Sequence, residues 1–304
     1  MKKIVFLLVA LVASIAVMAT EGALSGKFTI NAQGDQVVFS QGNLQATTTD
    51  LGENWTWAFA TNQWDCVGNA AANNAINGNG TVSANGTVDL FGWSTATSYY
   101  GIHNSKDADQ YSGDFEDWGN NMGEGWRTLS YDEWDYLLHS RTNALNLHGN
   151  ATVNGVHGYI FLSDSWTPPI GLSFQTKPNN WTTNQYSGED WTAMQDAGAV
   201  FLPAAGYRYD GVYMVSNSGQ YWSSHPDHAT SAEGVAFGNG GAHMFSDGLR
   251  SSGSSVRLVQ AAPQGATDID NTTVTPNAAK RIVDGQLLIE RDGKVFNATG
   301  VQVK

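Results

Sequence analysis

"WRTLSYDEWDYLLHSR", residues 126–141, is the segment of the 304-residue chain whose apolar positions repeat with a clear helical period. Ser130 followed three residues later by Glu133 forms a capping box, in which hydroxyl and carboxylate each take a backbone amide at the helix start. Asp132 adds negative charge to the first turn, where the helix dipole favours it. Trp134, Leu137, Leu138 and Arg141 recur at i, i+3, i+4 and i+7, which predicts a buried face with a cation near the C-terminus. The acids of this segment are read as cap and solvated face, not as catalytic groups.

Outward from this helix the chain reads as short strands. "GKFTINAQGDQVVFSQGNLQ" alternates through Phe28 and Ile30, turns at Gly34-Asp35 and alternates again through Val37 and Phe39, a hairpin pattern. "WTWAFATNQWDCVG" follows as an aromatic strand. Residues 69–88 are an Asn/Gly/Ala run expected to be a surface loop, and 92–125 are again loop-like, with a carboxylate cluster at Asp114, Glu116 and Asp117. Beyond the helix, "GVHGYIFLSDSW", "AGAVFLPAAGYR", "GQYWSS", "EGVAFGNG" and "SSVRLVQ" are short β runs divided by turn residues. Thirty-four glycines and eleven tryptophans with seven prolines fit a loop-rich, mostly β domain with few helices, an α+β class.

"MKKIVFLLVALVASIAVMA" has two lysines, an apolar core and small residues before a cut, which predicts a signal peptide over 1–19 and an exported protein. No cysteine lies near the cut to carry a lipid, and no later apolar run is long enough to span a bilayer. Loss of Lys2 and Lys3 takes the net charge from −13 to −15, which argues against nucleic acid and anionic membrane as partners. The single cysteine, Cys66, excludes an intrachain disulfide, so the core must hold the fold.

"YWSSHPDHATSAEGVAFGNGG", residues 221–241, sets unpatterned chemistry beside regular alternation. His225, Asp227, His228, Ser231 and Glu233 follow no period, whereas Val235 and Phe237 alternate with Gly234, Ala236 and Gly238 as a strand with a fixed inner face and a free outer face would. Polar and aromatic side chains on loops bounded by rigid strands suit a paratope-like surface, against which an ordinary solvated loop face is the plain alternative.

Four motifs in order, "WRTLSYDEWDYLLHSR", "AGAVFLPAAGYR" (197–208), "YWSS" (221–224) and "SVRLV" (255–259), resemble the bacterial C-type lectin-like domains of the Fibrobacter succinogenes major paralogous type. Relatives of that type include the formylglycine-generating enzyme and the variable proteins of diversity-generating retroelements. The resemblance implies a C-type lectin-like fold over 20–262. It also implies that adenine-directed mutagenesis rewrites codons between "AAGYR" and "SVRLV". Tyr209, Asp210, Tyr213, Asn217, His225, Asp227, His228, Ser231, His243, Phe245, Asp247, Ser251 and Ser252 are reachable from an Asn codon in this way, and Glu233 is not. With Gly234, Ala236 and Gly238 they make the expected ligand-binding set, directed at a protein or glycan on another cell, a phage or a host surface. No catalytic residue is assigned, and the alternatives are an enzyme on the same fold or a structural surface or adhesin subunit without a pocket.

Other chemistries are weak. His225 and His228 are separated by Pro226, which breaks any helix that could align them on zinc. Formylglycine-generating relatives use a cysteine pair, and this chain has only Cys66, read as a small hydrophobe. The tripeptides of calcium-dependent sugar sites, Glu-Pro-Asn, Gln-Pro-Asp and Trp-Asn-Asp, are missing. No cofactor is expected beyond a structural calcium, for which the oxygens of Asp114, Glu116 and Asp117 remain open. Residues 263–279 read as a linker. In 280–304, Asp284-Gly285 and Asp292-Gly293 mark two hairpins, similar to the small C-terminal β domains that direct type IX secretion in Gram-negative bacteria.

Overall fold

The computed structural model describes residues 21–75, 84–102, 108–176, 180–209, 211–263, 278–283, 286–291, 294–297 and 302–303. The predicted signal peptide therefore lies outside the described residues, as do Asp210, most of the predicted linker, and the Asp-Gly pairs at 284–285 and 292–293. The fold is β-rich with few helices, 38% strand against 14% helix. No helix among the described residues is long and apolar enough to cross a membrane.

The chain divides into a large unit, Ala19–Ala262, and a second unit that contains Pro263–Lys304. In the large unit the strands are β1 (Phe28–Thr29), β2 (Gln36–Phe39), β3 (Leu44–Thr48), β4 (Thr56–Phe59), β5 (Gly86–Val88), β6 (Arg127–Thr128), β7 (His148–Val153) and β8 (Val156–Leu162). They continue with β9 (Gln185–Tyr186), β10 (Ala199–Pro203), β11 (Tyr207–Arg208), β12 (Val212–Tyr213), β13 (Ser218–Pro226), β14 (Ser231–Gly238), β15 (Gly241–Leu249) and β16 (Leu258–Ala261). The predicted first hairpin forms, Phe28 opposite Val37. The last strand, β16, lies between β2 and β6, so both ends of the unit meet in one sheet, β1-β2-β16-β6.

Helix α1 (Ala71–Ala75) and β5 occupy the Asn/Gly/Ala run expected to be loop, and residues 76–83 between them are not described. The run earns its structure through Asn73, which is fully buried and whose amide donates to Asp89 Oδ1 at 2.8 Å and to the Gly68 carbonyl at 2.9 Å.

Helix α2 (Tyr131–Asp135) starts as predicted: Ser130 Oγ accepts from Glu133 N at 3.2 Å, and Glu133 Oε2 accepts from Ser130 N at 2.8 Å. It winds on through a π turn, Tyr136–Ser140. Trp134, Leu137 and Leu138 enter one core cluster with Phe28 and Phe39, Phe161, and Tyr221, Val235 and Phe237, so this helix ties three sheets together. Arg141 is buried too, donating to the carbonyls of Leu137, Leu147 and Leu162 and to Asp164 Oδ1 at 3.2 Å. A second cluster gathers Trp93, Trp118, Trp126 and Trp222, and a third packs α3 (Gly188–Asp196) on β8 and β10 through Trp191 and Met194. Sequence reading missed α3, although Ser187 and Asp190 form the same capping box.

In the second unit β17 (Ala278–Val283), β18 (Gln286–Arg291) and β19 (Lys294–Asn297) form an antiparallel sheet. Val283 pairs with Gln286 and Arg291 with Lys294.

Candidate functional site

The sheet β13-β14-β15 is the frame of the predicted binding region. Tyr221 lies opposite Val235 and Val235 opposite Met244, and this face turns to the core below α2. Val235 and Val256 are fully buried, with Phe237 and Trp222 each only 1% exposed. Trp222 stands on the other face, where its Nε1 donates to the Phe91 carbonyl at 2.7 Å. The pairing of β14 with both neighbours shifts beside Glu233, in β13 between Trp222 and Pro226 and in β15 between Phe245 and Gly248. Ser223 Oγ donates to the Glu233 carbonyl at 2.8 Å within this irregularity.

Against this frame Tyr209, Tyr213, Asn217, His225, His228, His243 and Asp247 are exposed, and Asp227, Gly238, Phe245 and Ser252 are half-buried. Four expectations of a free face do not hold, because Ser231, Gly234, Ala236 and Ser251 are buried. At Gly234 a Cβ would stand 2.2 Å from the Tyr221 carbonyl oxygen and 2.7 Å from the Phe245 ring. The ring of Phe245 folds back onto Trp222, centroids 5.8 Å apart, and so covers the face expected to be open. Ser231 is held by its Oγ donating to Asp227 Oδ2 at 2.9 Å and by its carbonyl accepting from Arg250 Nε at 3.1 Å. Ser251 follows the buried Arg250, whose guanidinium lies 4.2 Å from the centroid of the Trp93 ring. The segment 241–249 is itself strand β15, not loop.

The exposed residues form two groups at opposite ends of β13. At the Pro226 end, His225 Nδ1 lies 2.6 Å from Glu233 Oε2 and His228 Nδ1 lies 3.2 Å from Asp227 Oδ1. Glu233, set aside in the sequence as frame, has its side chain only 14% exposed, and the helix residue Tyr131 shares this edge. The Tyr131 phenol is pushed up by burial and by the charges of Glu233, Asp135 and Asp132. At the Ser218 end stand Tyr213, Met214 and Asn217, next to the β11–β12 hairpin. The nine residues of β13 span roughly 26 Å from end to end, so the predicted set does not converge on a single spot. Tyr209 leaves the bridge between Arg208 and Gly253 beside Ser252.

Sequence reading missed the part played by two arginines within its own motifs. Arg208 and Arg257 are buried and only partly matched to acceptors, with Arg208 Nε and Nη2 and Arg257 Nε lacking a hydrogen-bond partner. Arg208 donates to the carbonyls of Leu90 and Asn73. Arg257 donates to Gln63 Oε1 at 2.9 Å and to Asn43 Oδ1 and the Phe201 carbonyl at 3.3 Å each. Burial pulls both guanidinium groups down to about 10, which leaves them charged at neutral pH. Asp89, fully buried near Arg208, is pushed up to about 6 by burial, against the pull of amides from Val67 and Asn73. An Arg within an apolar run, as in Ser-Val-Arg-Leu-Val, was the available signal.

Among the described residues no group of three or more His, Cys, Asp or Glu is placed to hold a metal ion. Both Asp117 oxygens serve the backbone, accepting from Gly119 N at 2.9 Å and Thr128 N at 3.1 Å, which removes this residue from the calcium set. Glu116 Oε1 accepts from the Tyr100 hydroxyl at 3.4 Å, and Asp114 is exposed. Burial and the charges of Asp89 and Asp65 raise the Cys66 thiol to about 11, far from a nucleophilic thiolate. Comparison of the chain with protein-family models, curated proteins and solved structures finds no match in any of the three.

Proposed function

We propose that the large unit is an exported binding domain of the C-type lectin-like type, which presents side chains of the 209–252 region to a protein or glycan on another cell, phage or host surface. The supporting observation is the division of labour within single strands. On β15 His243 is exposed while its neighbour Met244 packs against the core, and on β13 His225 is exposed three residues from buried Trp222. Side chains can change on such a surface with little effect on the core beneath. The meeting of first and last strands in one sheet, with a helix and long loops between, also suits the lectin-like reading.

Within this proposal the displayed side chains are Tyr209, Tyr213, Asn217, His225, Asp227, His228, His243 and Asp247, spread between the two ends of β13 and not gathered into one spot, with Asp210 assigned on sequence alone; the buried Ser231, Gly234, Ala236 and Ser251 belong to the frame. The C-terminal sheet serves as the sorting module of a Gram-negative surface protein. A display library randomised at Tyr209, Tyr213, His225, His228, His243 and Asp247 tests the reading. Most clones should resist protease like the parent, and panning against lysozyme as an arbitrary target should enrich binders. General loss of folding would overturn it. Retroelement diversification requires a reverse-transcriptase gene and an imperfect repeat of codons 209–259 in the flanking DNA, and it fails if neither is there.

A further inference from the structure

Among the described residues the large unit buries four of its six Lys and Arg side chains. Residues 20–262 hold 23 carboxylate side chains against eight Lys and Arg. Of those eight, Arg141, Arg208, Arg250 and Arg257 are buried, and Arg127 is paired with Glu133 at 2.7 Å. Lys106 and Lys177 lie outside the described residues. The outer field is thus strongly negative, which attracts and orients cationic partners.

The β11–β12 hairpin repeats the arrangement on a small scale. Tyr207 pairs across the hairpin with Tyr213, ring centroids 6.1 Å apart, and the alternation of the strand sends Arg208 inward between Tyr207 and Tyr209. Tyr209 and Tyr213 are left 53% and 48% exposed. The chain beyond the turn is anchored. Val212 N donates to Asn74 Oδ1 at 2.8 Å, and Met214 and Ser216, both at positive φ, are fixed by Ser218 N on the Met214 carbonyl at 3.0 Å and Ser216 N on the Ala204 carbonyl at 2.8 Å. Left-handed backbone at such residues costs about 1–3 kcal/mol each and persists only where the surroundings enforce it.

We infer that this tyrosine hairpin docks an arginine-bearing segment of a partner protein, with guanidinium groups stacking on Tyr209 and Tyr213 inside the negative field. The inference rests on the binding reading above and names the chemistry of its partner. Tyrosine faces attract cations, and the planar guanidinium stacks where an ammonium cannot. Tyr and Arg are also residues that dominate protein interfaces.

Labelled hexa-arginine and hexalysine peptides, measured by fluorescence anisotropy at about 0.15 M ionic strength, test it. Hexa-arginine should bind more tightly than hexalysine. The Tyr209→Ala/Tyr213→Ala pair should weaken hexa-arginine about fivefold, with an unchanged melting temperature, and the corresponding Phe pair should retain most of the affinity. Equal binding of the two peptides, or a double-Ala protein that binds hexa-arginine as the parent does, would reduce the effect to net charge and overturn the inference. The library experiment above is independent of that outcome, because it asks only whether the surface tolerates and exploits change.

Discussion

Arg257 Nη2 lies 2.9 Å from Gln63 Oε1, joining the final motif of the large unit to a residue 194 positions earlier. The same oxygen accepts from Phe201 N at 2.7 Å, so one side chain satisfies a buried charge and a strand amide together. Gln63→Ala should strand both donors and cost about 3 kcal/mol, measured by urea denaturation. A loss below about 1 kcal/mol would mean that water replaces the amide.

Ser130→Ala should cost about 1 kcal/mol by leaving the Glu133 amide unpaired. Ser187→Ala should cost a similar amount through Asp190 N. An unchanged melting temperature for either would show that its capping box contributes nothing to stability.

Phe237→Ala should cost about 3–5 kcal/mol, since the ring is only 1% exposed and stacks between Tyr159 and Tyr221. His225→Ala, His228→Ala and Asp247→Ala should each shift stability by about 0.5 kcal/mol or less. A collapse of the combined triple variant in a thermal melt would move these residues from face to frame.

Asp89 has a folded pKa of about 6, raised by burial above the usual carboxylate value of 3.8. Between roughly pH 4 and pH 6 the native state keeps a proton that the unfolded chain has released, so its contribution to stability falls as pH rises through that window. The displacement corresponds to about 3 kcal/mol. The stability difference between the parent and Asp89→Asn, taken from denaturation curves at both ends of the window, should therefore favour the parent more at the acid end. A constant difference would show that Asp89 stays ionised in the fold.

Cys66 should react with a disulfide reagent at pH 8 on the order of 100-fold more slowly in the native protein than in urea, because its thiol is raised to about 11. Equal rates would mean an open, ordinary thiol.

What the sequence revealed about the fold follows the range of the forces involved. Helix α2 was legible because its cap and its apolar stripe are encoded within twelve residues. Helix α3 carries the same cap, but it begins with Gly188 and buries only Trp191 and Met194, too sparse a stripe to stand out. Strand β15, "GAHMFSDGL", was lost because it is half-buried along most of its length and irregular near Glu233, which erases a two-residue period. At the candidate site, the inward set Trp222, Val235 and Phe237 was readable from alternation. The covering of Gly234 was not, since small residues do not announce which face a distant ring such as Phe245 will close over.

Strand β16 completes its sheet by lying against β2, pairing Val259 with Phe39 and Gln260 with Val38. That contact has a very long loop to close, and such non-local pairing slows folding. A ribosome-bound or translocating chain that has not yet released residues 258–261 cannot seat this strand, and the edge of β2 stays open to any passing strand until it does. The second strand of the unit therefore waits for its last, and this sheet can close only after the whole domain has been made.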